Sequence, residues 1–300
     1  MAALTHSWGV LTPRGQTTTL IAVITAAVAA AILSAAATTL LWVWQRHSRN
    51  AGVILAGWPA LVAGLAGLDA SLGDGWEFRR AAVGFMIGSW GLRLAVYLLY
   101  DRVLGRAEDG RFAELRREWG GDAPRRLLWF FLAQAIAAVV FSLPALFASA
   151  NADQEFEIIE LVAAGLWVVA FAGESTADRQ LLRFRTNAAN RGYACRTGLW
   201  KFSRHPNYFS EWLIWVALAL FACGSPWGWV TLACPAVLLY ALFKVTGIPP
   251  NEAQALHSRG DEYRAYQAAT STFIPWFPRR SESQRDAASI AAPVSNLDDD

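Results

Sequence analysis

Runs of apolar residues dominate this chain and leave few folds open to it. Thr18 to Trp44 carries no charged residue at all, and comparable runs follow at 51–68, 81–100, 127–150, 158–173, 209–223 and 227–245. A helix that crosses a bilayer needs about 20 mostly apolar residues, because hydrocarbon offers no partner to an exposed backbone N–H or C=O. The pattern therefore predicts an all-α fold, a polytopic membrane bundle of about seven spans. Composition agrees: 55% of the residues are hydrophobic and only 17% are charged, with a mean hydropathy of +0.28. These values exclude an ordinary soluble domain. A net charge of +2 gives no electrostatic footprint for nucleic acid. Cys195, Cys223 and Cys234 lack metal-ligand spacing and read as buried thiols, so no metal is expected.

Small-residue stretches such as Ala27-Val28-Ala29 raise the reading of a signal peptide, but the first run is too long for a signal core and reads as a first span. Glycines at 52, 57, 64 and 67 punctuate the second span and permit close helix approach. Pro144 predicts a kink in the fourth, and Gly224-Ser225-Pro226 a tight turn between the last two. Residues 1–278 read as one membrane domain. The polar Ser- and Asp-rich segment 279–300 reads as a disordered tail. Basic residues orient the bundle. Seven Arg lie in 101–126 and seven Lys or Arg in 174–207, whereas 150–157 has none. Alternation then places the amino terminus outside and the carboxyl terminus in the cytoplasm, with Arg79-Arg80 the one exception.

Four groups of polar residues stand out. Arg93 sits inside the third span, where a charge is costly unless it serves a pathway, partner or ligand, and Arg102 follows at its end with Glu108, Asp109 and Arg111 nearby. Glu174 and Asp178, four apart on one helix face, close the fifth span beside Gln180 and Arg185. Carboxylates next to cations suit a ligand that offers hydroxyls and phosphates together. The third group is the run Gly198 to Glu211. Pro206 fits a first helical turn, with Ser203 or His205 as a cap, Arg204 supplies charge, and Asn207, Tyr208 and Glu211 present an amide, a phenol and a carboxylate at the helix start. Such a trio can hydrogen-bond a planar carboxamide ring. The fourth group, beyond Pro249-Pro250, brings Arg259, Tyr263 and Tyr266. Interfacial anchoring explains the Trp and Tyr residues equally well, but it does not account for Asn207 and Glu211. No dinucleotide-binding, phosphate-loop, nucleophile-elbow or zinc-protease motif is present.

The pattern G-L-W-x-x-S-R-H-P-N-Y-F-x-E at 198–211 resembles the signature of the steroid 5α-reductase superfamily, and more closely that of its bacterial branch of uncharacterised multi-span proteins. Matching pieces at Arg93 to Arg102, Glu108-Asp109, Asp178-x-Gln180, Thr246 to Glu252 and Tyr263 to Pro275 extend the resemblance over about 70–278. It implies a reductase of the bacterial inner membrane with its cofactor, NADPH, in a cavity open to the cytoplasm. Its reaction would reduce a carbon–carbon double bond in a hydrophobic steroid- or isoprenoid-like substrate. Carried over by position, Asn207, Tyr208 and Glu211 would hold the nicotinamide end. Arg93, Arg102, Asp178 and Arg185 would contact the ribose and phosphates, with Arg204, His205, Arg259 and Tyr263 also within the cofactor site. Tyr208, Glu211 and Asp74 are the candidate catalytic groups, with Tyr97 and Tyr100 as further proton donors. The substrate half departs from the steroid-reducing pattern. Trp90 stands where those members carry a Tyr, and residues 15–68 contain no acid. Two other readings share these features. One is an isoprenylcysteine-type methyltransferase using S-adenosylmethionine, with which the chain shares an Arg-His-Pro-x-Tyr run. The other is a non-catalytic lipid- or sterol-binding membrane protein.

Overall fold

The computed structural model describes residues 13–279. The expected disordered tail lies outside the described residues but for Arg279, as does the polar lead up to residue 12. Among the described residues the chain forms α-helices and short 3-10 or π turns, with no strand beyond a single bridge between Ser203 and Ser271. The helices are α1 (Pro13–Ser48), α2 (Val53–Leu72), α3 (Glu77–Leu98), α4 (Gly110–Trp119), α5 (Ala123–Ser149), α6 (Ile158–Thr186), α7 (Pro206–Cys223), α8 (Ala233–Lys244), α9 (Ile248–Arg259) and α10 (Asp261–Ala269). Six stretches among the described residues are long and apolar enough to cross a membrane: Ile24–Ser48, Val53–Leu72, Glu77–Val103, Gly110–Ser149, Ile158–Thr186 and Gly228–Arg259. The chain is a polytopic helical membrane protein. The sixth expected span, 209–223, forms α7, which is 18 residues long and opens on Asn207, Ser210 and Glu211 before its apolar part begins. Pro144 lies buried within α5, which continues through it to Ser149.

The chain divides into two compact units. One comprises the residues up to Ala164 together with Leu218–Cys234, and the other Gly165–Ala217 and the residues from Pro235 onward. In the first unit, α2, α3 and α5 share an aromatic core. Trp58 sits edge-on to Trp90, with ring centroids 6.2 Å apart, and to Phe141 at 5.4 Å. Gly91 permits the approach of α3 to α2, since a β-carbon there would stand 2.4 Å from the Pro59 carbonyl oxygen.

Both ends of this unit are tied by polar contacts. At one end the Gly75 and Trp76 amides donate to the Ser149 and Asn151 carbonyls, each at 2.9 Å, and Asn151 Nδ2 donates to the Gly224 carbonyl at 2.9 Å. The α2–α3, α5–α6 and α7–α8 connections therefore meet there, as alternating spans require. Arg79 anchors the cluster. It is fully buried, its Nε donates to Glu160 Oε1 at 2.6 Å and its Nη2 to Oε2 at 3.1 Å, and the Asp153 and Glu155 carbonyls accept its remaining donors at 2.5 Å. Trp76 and Phe156 lie against its guanidinium. The exception to the charge rule thus has a physical reason. Arg79 is neutralised inside the fold by Glu160, while Arg80 donates to the Gly73 carbonyl. At the opposite end, Asn50 reaches the Arg106 carbonyl, Trp42 Nε1 donates to the Pro124 carbonyl at 3.0 Å, and Phe112, Leu127 and Phe131 pack on Ile54.

Removing one partner of a buried ion pair strands the other charge, at a cost of about 3–5 kcal/mol. Arg79→Ala and Glu160→Ala should each lower the thermal unfolding temperature of the detergent-solubilised protein sharply. The Arg79→Met/Glu160→Leu pair should lose less than either.

Candidate functional site

The second unit carries the signature run and shows how it is held. Chain direction reverses after α6 through a loop that ends in a 3-10 turn, Gly198–Lys201. Gly198 adopts φ +60°, and a β-carbon there would fall 2.4 Å from the Gln180 carboxamide. Both facts demand glycine at this position. Gln180 Oε1 accepts the Leu199 amide at 2.9 Å, and Trp200 Nε1 donates to the Ala177 carbonyl at 3.0 Å. The Gly-Leu-Trp triplet therefore fastens the loop back onto α6.

Ser203, Arg204 and His205 fasten the same run to the carboxyl-terminal segment. The Arg204 amide donates to the Ser271 carbonyl at 2.8 Å. Ser203 Oγ donates to the Phe273 carbonyl at 2.8 Å and accepts the His205 amide at 3.1 Å. Tyr266 Oη donates to the Trp200 carbonyl at 2.5 Å. The Arg204 side chain is buried, and each of its donor nitrogens has a partner. Nε reaches Glu252 Oε1 at 2.7 Å, Nη1 the Gln267 and Thr270 carbonyls at 3.0 and 2.6 Å, and Nη2 the Thr272 hydroxyl at 2.9 Å. His205, also buried, places Nε2 3.3 Å from the same Glu252 oxygen. Gln267 Nε2 donates to the other at 2.9 Å. Arg204 and His205 are thus internal braces, and a phosphate would have to displace protein partners to reach them. Tyr263 packs with Tyr266 and Ala255, and burial, with the Glu252 charge adding to it, pushes its phenol up to about 12.

Beyond the braces, α7 begins. Pro206 occupies its first position, where a missing N–H costs nothing. Asn207 Nδ2 donates to Asp178 Oδ1 on α6 at 3.3 Å, with Asp178 only 3% exposed. Tyr208 stacks on His205, with ring planes 3° apart and centroids 5.4 Å apart, and its Oη accepts from Asn251 Nδ2 at 2.5 Å. Glu211 follows one turn after Asn207, and all three are half-buried. Close approach of α7 to α6 is permitted at Gly173, where a β-carbon would meet Ser210 Oγ at 2.8 Å. Arg185 is exposed at the end of α6, and Arg259 is half-buried at the end of α9. The arrangement joins an amide, a phenol and two carboxylates at the polar start of an otherwise apolar helix.

The remaining expected site residues belong to the first unit. Arg93 is half-buried within α3. Arg102 lies in the π turn Leu99–Val103 that extends that helix, and it pairs with Asp101 and Asp109, each at 2.9 Å. Asp109 also caps α4 by accepting the Arg111 amide at 3.1 Å. Burial alone would raise the Asp109 carboxyl, but Arg111, its amide and Arg102 together hold it below its ordinary value of 3.8. Asp74 is exposed in the connection before α3, at the far end of that helix from Arg102. About 20 residues at 1.5 Å each separate it from Arg93, so Asp74 does not join those groups and is set aside as a catalytic residue. Tyr100 is exposed, and Trp90 is buried in the aromatic core.

A family model described as "Protein of unknown function (DUF1295)" matches residues 41–270. The chain belongs to the DUF1295 family. This is a steroid 5α-reductase-like family, and the matched region takes in both units and every expected site residue. No curated protein and no solved structure matches the chain.

Two residues that organise the DUF1295 site are present in the matching sequence pieces, but their structural roles are not legible there. Glu252 gathers Arg204, His205 and Gln267, yet in sequence it is one acid after a proline pair. Its signal is its position, in the first turns of the helix that follows the proline pair. Gln180 accepts the Leu199 amide and packs where a β-carbon on Gly198 would stand.

Gly198→Ala forces a left-handed backbone on alanine, at about 1–2 kcal/mol, and adds the overlap with Gln180. A lower unfolding temperature is expected, and adding Gln180→Ala should restore only part of it. Asp109 has the opposite lever, pH. Because its folded carboxyl is held low, its contribution is present above pH 3.8 and declines as pH falls through the folded value. Asp109→Asn should flatten the acid limb of a stability-versus-pH curve and leave the neutral region's slope unchanged.

Proposed function

We propose that this protein is a membrane-embedded, NADPH-dependent reductase of a carbon–carbon double bond in a hydrophobic, carbonyl-conjugated substrate. The observation that carries this reading is the bond between Asn207 and the buried carboxylate of Asp178 at the mouth of α7. It fixes the orientation of the Asn207 amide, with the donor nitrogen turned to Asp178 and the oxygen left as an acceptor. Membership of a steroid 5α-reductase-like family supports the same reading.

The donor and acceptor set fits the nicotinamide end. The Asn207 oxygen and the Glu211 carboxylate suit the N–H groups of a planar carboxamide, and Tyr208 lies beside them. For the phosphates, the second unit offers Arg185 and Arg259, since Arg204 is engaged. When bound, NADPH supplies a hydride equivalent to the substrate's β-carbon.

The residues of this chain supply orientation and proton control. Glu211 and Asn207 orient the carboxamide, and the apolar remainder of α7 keeps bulk water from its inner side. Asn251 donates to Tyr208 Oη, which leaves the phenol proton to be donated elsewhere. That is the polarity wanted in a group facing a developing enolate oxygen, where one positioned donor is worth a few kcal/mol of barrier. By the charge rule, the basic connections support a site on the cytoplasmic face of a bacterial inner membrane.

Purified protein should bind NADPH in calorimetry and oxidise it in the presence of an enone lipid. Glu211→Ala and Asn207→Ala should abolish binding with little change in unfolding temperature. Tyr208→Phe should retain binding and lose roughly 100-fold or more in turnover. Absence of NADPH binding, or binding of S-adenosylmethionine in its place, contradicts the proposal.

A further inference from the structure

A second polar site lies at the basic end of the first unit, formed by residues read as neither catalytic nor cofactor-binding. An open cavity of about 330 Å³ is lined by Gln45, Arg46, Arg49, Glu108, Arg116 and Pro124. Gln45 is fully buried. Its Oε1 accepts from Arg116 Nη2 at 2.5 Å, which fixes the orientation of the amide. The other end of that amide, Nε2, is buried with no acceptor. A buried donor without a partner is rare in a folded protein and calls for a group that completes it.

The charges around the cavity specify that group. Arg116 Nε and Glu108 cancel one another through bonds of 3.0 and 2.9 Å, and the Ala51 amide donates to Glu108 at 2.8 Å. Glu108 is therefore saturated and does not repel an anion. Arg46 lies over the Trp42 ring at 5.2 Å. Arg49 is held at φ +51°, a conformation that non-glycine residues seldom adopt, and the following residue is pinned by the Gly52 amide donating to Asn50 Oδ1 at 2.9 Å. The cavity thus has an excess of two cations and one unmet N–H donor, and it needs an anionic acceptor rich in oxygen. The part of α1 just before Gln45 exposes Leu40, Val43 and Trp44, an apolar surface next to these residues in the chain. A phosphate attached to acyl chains satisfies both, whereas a choline headgroup would bring a cation against Arg46 and Arg49.

We propose that this cavity holds the headgroup phosphate of an anionic phospholipid, which accepts from Gln45 Nε2 and pairs with Arg46 and Arg49. The full-length protein in neutral detergent should be titrated with phosphatidylglycerol, phosphatidylcholine and inorganic phosphate while thermal unfolding is followed. Ligands that bind only the folded state raise its unfolding temperature. Phosphatidylglycerol is expected to raise it by several degrees more than phosphatidylcholine, with no comparable effect of inorganic phosphate. The double variant Arg46→Gln/Arg49→Gly changes exposed side chains and relieves the strained φ, so it should fold normally. It should reduce the phosphatidylglycerol shift to the phosphatidylcholine value, and Gln45→Leu should do the same. An undiminished shift in the double variant overturns the proposal. So does an equal shift from inorganic phosphate, which would make this a free-phosphate site. Loss of NADPH binding in the double variant, with the lipid shift intact, would reassign the cavity to the cofactor and overturn the lipid assignment.

Discussion

A carboxylate drawn away from bulk water keeps its charge only where donors surround it, and in the second unit Glu252 meets that condition with three. Arg204 and His205 come from the signature run and Gln267 from α10, so one side chain binds the start of α7 to the two short carboxyl-terminal helices. Charge-assisted bonds of this kind are among the stronger ones in proteins. The remaining Arg204 donors reach carbonyls and a hydroxyl at 267–272, so breaking the pair would leave a buried guanidinium short of its anion. The frame on which Asn207, Tyr208 and Glu211 stand depends on this knot.

The knot divides the signature run by role. Residues 198–205 are occupied with the protein itself: Gly198 for its backbone, Trp200 and Ser203 for loop closure, Arg204 and His205 for Glu252. The next six residues have another character. Asn207 bonds to Asp178 and Tyr208 to Asn251, and with Glu211 they remain half-buried at the point where α7 turns apolar. Much of the run is thus engaged with the protein itself, which a motif alone does not reveal.

The sequence made the apolar spans legible because hydropathy and span length answer to the same solvent. It was silent on where helices continue past the hydrocarbon. The fifth run ends at Gly173 by hydropathy, but α6 continues to Thr186, since a polar helix costs nothing in water. Charge counting left Arg79 as an exception because it registers basic residues and not their burial on Glu160. At the site, spacing of four paired Asn207 with Glu211 and Glu174 with Asp178 along single helices. The bond that forms crosses from α7 to α6, over 29 residues of chain, and local periodicity has no access to it. Arg204 was legible as a special residue and illegible as a brace, because its partner lies 48 residues away.

The account turns on the Glu252 knot as the support of the site. A double-mutant cycle of Arg204→Ala and Glu252→Ala, followed by unfolding of the solubilised protein, tests it most directly. Residues in one hydrogen-bond network couple by about 0.5–3 kcal/mol, and a coupling in the upper half of that range is predicted here. Additive losses, with coupling below about 0.5 kcal/mol, would contradict the account.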